Sequence, residues 1–109
     1  MAYNQKIEER IQDIVDLWMD TTAKKMFGGV CHLQNGNMFC GVHKDFLILR
    51  LGEKGAAGAL DHPHAKPFDI TGRPMKGWVM MAEEGFPQKA DLKKWLTKAR
   101  KFAETLPPK

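Results

Sequence analysis

Residues 25–42 have the sequence KMFGGVCHLQNGNMFCGV, which is the most informative segment of the chain for its fold. Asn35 and Gly36 lie near its centre, between two segments rich in apolar residues. An Asn-Gly pair favours a type I′ turn, because both central residues of that turn need a positive φ. The stretch therefore predicts a β-hairpin with a two-residue loop.

The predicted loop also sets the register of the two strands. Regular pairing outward from the turn places Cys31 opposite Cys40 and His32 opposite Phe39. Because side chains alternate between the two faces of a sheet, the two sulfurs are predicted to share one face and the nearby imidazoles the other. The inward face would carry Cys31, Leu33, Met38, Cys40 and Val42; the outward face would carry Val30, His32, Phe39 and His43.

The remaining elements follow from periodicity. Apolar residues at helical spacing predict an amphipathic helix over 4–21, capped by Asn4, and a final helix over 88–105. Between them we expect strands at 46–51 and 76–81, a helix over about 53–61, and a short edge strand at Phe68–Ile70. The order predicts an α+β fold: an antiparallel β-meander sheet with an N-terminal and a C-terminal helix packed on one face.

Length, charge and composition narrow the class of protein. The chain has 109 residues, which predicts a single domain over 1–109, and 43% hydrophobic residues, enough for a core. It contains no apolar run long enough to span a membrane, and its polar N-terminus does not resemble a secretory signal. We therefore expect a cytoplasmic protein without a membrane partner, in which both cysteines are reduced.

Several segments together resemble the TfoX N-terminal domain family. They are Met26-Phe27-Gly28-Gly29, the glycine-turned hairpin, the strand ending at Arg50, Pro74-Met75 and Trp78, within about residues 8–103. The resemblance implies a cytoplasmic bacterial or archaeal α+β domain. Its full-length relatives regulate competence for DNA uptake and carry a second, C-terminal domain. The family offers no established catalytic residues, and Cys31, His32 and Cys40 depart from its usual aliphatic or aromatic strand residues.

The cysteines and histidines of the hairpin are a candidate reactive site by residue type. Zinc would suit Cys31, His32, Cys40 and His43 by residue type, but the predicted register puts thiols and imidazoles on opposite faces. The same argument speaks against a thiol nucleophile with a histidine base. We expect no metal, no cofactor and no catalytic residue. Two buried thiols are the main interpretation, and a redox-responsive Cys31–Cys40 pair is the alternative.

Two further groups of residues are candidates for contacts with partners. Trp78, Met80 and Met81 are candidates for a protein interface, since methionine and aromatic side chains adapt to partner surfaces; packing in the core is the alternative. The first 22 residues are net acidic, whereas residues 86–109 are net basic, within a chain of net charge +4. A basic final helix could contact phosphates. Its candidate nucleic-acid contacts are Lys93, Lys94, Lys98 and Lys101, with Arg73 from a preceding turn.

These observations favour a non-enzymatic interaction module, connected through the resemblance with regulation of transcription or competence. Its partner would be another protein or a second copy of the chain. A nucleic-acid-binding module that uses the basic final helix is one alternative. An uncharacterised enzyme is another, and it would require a polar pocket with perturbed titratable groups.

Overall fold

The computed structural model describes residues 4–18, 21–26, 29–68 and 77–107. Within these ranges the chain forms three α-helices packed on one face of a six-stranded antiparallel sheet, which confirms the predicted α+β class. The strands lie in the order β1-β2-β3-β4-β6-β5. The elements are α1 Gln5–Val15, β1 Thr21–Met26, β2 Gly29–Gln34, β3 Asn37–His43, β4 Phe46–Arg50, α2 Gly52–Ala59, β5 Ala65–Pro67, β6 Trp78–Ala82, a 3₁₀ turn Glu83–Gly85 and α3 Lys89–Glu104.

The first helix begins where predicted but ends early. The side-chain oxygen of Asn4 accepts hydrogen bonds from the backbone N–H groups of Lys6 and Ile7, at 2.9 and 3.2 Å, so Asn4 is the N-cap. The predicted end at residue 21 is wrong: α1 ends at Val15, and Leu17 is 82% exposed. Thr21 instead begins β1, an edge strand that the sequence analysis did not predict.

Two other predicted boundaries need correction at the opposite edge of the sheet. The edge strand lies at Ala65–Pro67, before the predicted Phe68–Ile70, of which residues 69 and 70 lie outside the described residues. Pro67 has no N–H to donate, and an edge strand tolerates this because one side of it needs no partner. The predicted turn at 71–74, including Arg73, also lies outside the described residues.

The hairpin has the predicted turn but not the predicted register. Asn35 and Gly36 have φ values of 52° and 84°, as a type I′ turn requires, and Gln34–Asn37 and Leu33–Met38 pair as expected. The register then shifts, so that His32 lies opposite Cys40 and Cys31 lies opposite Gly41. Phe39 is thus the extra residue of a β-bulge. Beyond it, each residue of β3 pairs with a different residue of β2 than predicted, so the predicted sharing of faces between the two strands no longer holds.

The sheet consequently has two different faces. We call the side that packs on the helices the covered face; a row of paired residues crosses it from Ala23 through His32, Cys40, Leu49 and Val79 to Pro67. All three described helices contribute to the buried cluster on this side. We call the opposite side the outer face; its corresponding row is Lys24, Cys31, Gly41, Ile48, Met80 and Lys66.

Candidate functional site

The bulge brings a thiol, an imidazole and a carboxylate to the covered face. His32 lies directly opposite Cys40, and its Nε2 is 2.7 Å from Oε1 of Glu8 on α1. The other carboxylate oxygen of Glu8 accepts a hydrogen bond from Gln12, at 3.0 Å. The prediction that the imidazole of His32 faces away from the cysteines is therefore wrong for Cys40. It fails because regular alternation was assumed through a bulged strand.

These residue types match a nucleophile, a base and an orienting group, but the thiol and the imidazole are buried and not accessible to solvent. Cys40 is 0% exposed, and His32 is 2% exposed. Burial raises the pKa of Cys40 well above its ordinary value, and the nearby Glu8 carboxylate raises it further. A thiol that keeps its proton and has no solvent contact is a poor nucleophile. The arrangement instead joins α1 to the sheet through a buried polar contact.

The two cysteines are free, and they point to opposite faces. Cys31 and His32 are successive residues of a regular part of β2, so Cys31 faces outward while Cys40, opposite His32, faces the helices. The direct Cys31–Cys40 pair assumed for a disulfide is therefore wrong. Burial also raises the pKa of Cys31, with the Glu8 carboxylate as a second cause. Both thiols are buried and protonated at neutral pH.

The predicted interface residues are divided between the two faces. Met81 is 0% exposed within the helix-packed cluster, so its assignment to an interface is wrong. Trp78 and Met80 lie on the outer face and are partly exposed. The ring of Trp78 contacts Phe68 at 6.0 Å between centroids, and the guanidinium of Arg50 lies 5.3 Å from it. Other partly exposed apolar side chains of this face are Leu33, Met38 and Phe46.

Charge on the strands is of one sign. The six described strands contain Lys24, Lys25, Arg50 and Lys66 but no aspartate or glutamate. Lys24 and Lys66 end the row that crosses the outer face, and the ammonium of Lys66 lies 5.6 Å from the ring of Phe46. The outer face therefore combines partly exposed apolar side chains with a cationic border, while Cys31 and Ile48 in its central row are buried.

The predicted basic contacts do not form one surface. Lys98 and Lys101 line a groove of about 530 Å³ between α2 and α3, where they are joined by Lys54. Lys93 and Lys94 are exposed on α3 but do not line this groove. The rest of the described lining is apolar and includes two glycines: Leu51, Gly55, Gly58, Ala59 and Trp95. Lys54 and Trp95 were not predicted as site residues, because their approach depends on how α2 docks against α3.

The histidines of the loop after α2 lie beside this groove. The rings of His62 and His64 are 5.7 Å apart, and His62 meets the ring of Trp95 edge-on at 5.9 Å. Among the described residues, no three His, Cys, Asp or Glu side chains are grouped so that they could hold a metal ion. No helix in the described ranges is long and apolar enough to cross a membrane.

The fold and its surfaces define a small α+β domain with one helix-covered sheet face and one partly open face. The TfoX N-terminal domain model matches residues 13–103. Because this match covers most of the chain, the protein belongs to the TfoX N-terminal domain family, as its sequence resemblance indicated. No curated protein matches the chain.

Proposed function

We propose that this protein is a non-enzymatic interaction module that acts in regulation in the cytoplasm, and that its outer face binds another protein. The observation that carries the proposal is that Trp78 and Met80 lie side by side, partly exposed, on a sheet face that no described helix covers. Side chains of these types are enriched at interfaces between proteins. The regulatory role rests on what membership of the family implies.

The charge of the outer face favours one kind of partner. Lys24 and Lys66 border its apolar centre, and the described strands contain no carboxylate to balance them. A second copy of the chain packed face to face would bring like charges together at a cost in affinity. We therefore propose a different protein, one that presents an apolar surface with an acidic border.

A photoreactive amino acid at position 80 tests this proposal. In intact cells we expect one discrete heteromeric adduct, formed through an acid-rich segment of the partner. Double replacement Lys24→Gln/Lys66→Gln should lower its yield about fivefold, because the cationic border steers association. The matched control carries the same photoreactive residue in place of Leu17, which is 82% exposed on another part of the surface.

Equal yields of the adduct from positions 80 and 17 would contradict the proposal. A yield at position 80 that does not change when the two lysines are replaced would contradict it as well. Light scattering on the purified chain addresses the second copy directly. We expect a monomer of 12.4 kDa. A dimer that Met80→Asp dissociates would replace the heteromeric partner with a second copy of the chain.

A further inference from the structure

The groove between α2 and α3 lies apart from the outer face and has the dimensions of a small-molecule site. Its volume is about 530 Å³. Pockets for small ligands commonly measure about 300–1,000 Å³ and combine apolar walls with a few polar groups. Here the apolar part includes Trp95 and the polar part consists of three lysines.

The three lysines give the groove a positive charge that the described residues do not neutralise. Lys54, Lys98 and Lys101 are exposed, and the ion pairs found within the described ranges involve Glu83 and Glu8 on other parts of the molecule. The ammonium of Lys98 lies 5.0 Å from the centre of the Trp95 ring. No carboxylate among the described residues lines the groove. Such a cluster of ammonium groups raises the local concentration of anions.

Gly58 is the feature of the groove that packing does not explain. It lies within the eight-residue helix α2, where glycine disfavours the helix relative to alanine. A Cβ atom added at Gly58 would meet nothing within 4 Å, so no neighbour requires glycine there. By contrast, a Cβ at Gly52 would lie 2.6 Å from the nearest atom of the Phe102 ring. The missing side chain at Gly58 keeps the floor low and lets a ligand approach the backbone.

The groove therefore offers an aromatic wall, a shallow floor and three point charges. Lysine ammonium groups bind phosphate oxygens as point charges, and an indole offers a flat surface for a planar ring. Because the Lys98 ammonium lies over the Trp95 ring, a bound base would displace it from the ring toward the phosphates. We propose that the groove between α2 and α3 binds a nucleoside phosphate, with the base against Trp95 and the phosphates held by Lys54, Lys98 and Lys101. A free nucleotide is the ligand that the size of the groove favours.

Calorimetric titration with ADP, adenosine and inorganic phosphate tests the ligand class. We expect ADP to bind at least tenfold more tightly than adenosine or phosphate alone, since only ADP contacts both the indole and the lysines. Lys98→Gln/Lys101→Gln should weaken ADP binding at least tenfold. Lys93→Gln is the matched control, because Lys93 is exposed on the same helix but outside the groove, and its effect should stay below twofold.

Gly58→Phe provides an independent test, since its side chain would fill the groove. We expect it to abolish ADP binding while the circular dichroism spectrum and the melting temperature of the protein are retained. If this variant fails to fold, the lysine variants still decide the question. Equal affinity for ADP and adenosine, loss of affinity in Lys93→Gln as large as in the double variant, or no ADP binding at millimolar concentration would overturn the proposal.

A hexadeoxythymidylate titration distinguishes a free nucleotide from a nucleic-acid strand. We expect it to bind no more tightly than ADP at 150 mM salt. If the hexamer binds at least a hundredfold more tightly than ADP, and Lys93→Gln and Lys94→Gln weaken that binding, α3 binds single-stranded nucleic acid along its length. That outcome would overturn the assignment of the groove to a free nucleotide.

Discussion

Met80 and Met81 are neighbours in β6, yet they belong to opposite sides of the sheet. Met81 is 0% exposed within the cluster that joins the sheet to the helices, whereas Met80 is partly exposed on the outer face. Cys40 and Cys31 repeat the same division in the hairpin. The covered face has its polar groups paired internally, as in the Glu8–His32 contact, while the outer face leaves apolar and cationic groups accessible. The first face stabilises the fold, and the second is the one that we propose binds a partner.

The largest expected effects come from the covered face, and one of them follows from breaking its polar contact. Glu8→Ala removes the carboxylate that lies 2.7 Å from His32 Nε2 and leaves a buried imidazole without that partner. Leaving a buried polar group without its hydrogen-bond partner costs about 1–3 kcal/mol, and here Gln12 loses its acceptor as well. We expect a loss of that order in the free energy of unfolding, measured by urea denaturation at pH 7.

Glu9→Ala is the control, since Glu9 is the exposed neighbour of Glu8 on the same helix. Exposed substitutions away from such contacts usually change stability by less than about 0.5 kcal/mol. Similar losses of unfolding free energy in the two variants would show that the Glu8–His32 contact does not stabilise the fold more than an exposed residue of α1 does.

The two methionines give a second, direct comparison. Met81→Ala creates a cavity in the core and should lower the free energy of unfolding by about 3 kcal/mol. Met80→Ala removes a partly exposed side chain of the same size, and we expect a loss below about 1 kcal/mol. Chemical denaturation of both variants measures the difference. Equal losses would mean that the outer face is packed as tightly as the covered one.

The hairpin shows which parts of this division the sequence could predict. Asn35 and Gly36 specify the turn through their own backbone preferences, so the adjacent pairs Gln34–Asn37 and Leu33–Met38 were predicted correctly. The bulge at Phe39 has no comparable local signal. Phe39 and Cys40 are consecutive apolar residues, and both are buried against the helices. The register beyond them depends on tertiary packing, which decides where β3 must accommodate an extra residue.

The sites depend on the same kind of long-range information. Glu8 and His32 are 24 residues apart in sequence, and the shifted register together with the docking of α1 brings them into contact. The basic character of α3 was visible in Lys98 and Lys101, but their grouping with Lys54 follows from the position of α2. The polar edge strand β1 was missed because Thr21–Met26 has little apolar alternation to mark it.

The smallest effect concerns the two thiols at alkaline pH. Burial raises the pKa of Cys40 in the folded protein, while in the unfolded chain a cysteine ionises near its ordinary pKa of about 8.5. Above that pH the unfolded state has lost a proton that the folded state keeps, so the folded state is progressively destabilised as pH rises. The slope for one such thiol is at most about 1.4 kcal/mol per pH unit. The denaturation midpoint of the protein should therefore fall from pH 7 to pH 10. The midpoint of Cys40→Ala should fall less steeply with pH, although the packing it loses lowers its stability by the same amount at every pH.

Cys31→Ala is the matched control. The pKa of Cys31 is raised too, but less than that of Cys40, so this substitution should flatten the pH profile less. If Cys31→Ala flattens the pH profile more than Cys40→Ala does, burial raises the pKa of the outer-face thiol more than that of the covered-face thiol. The two faces would then not differ in the predicted way at the hairpin.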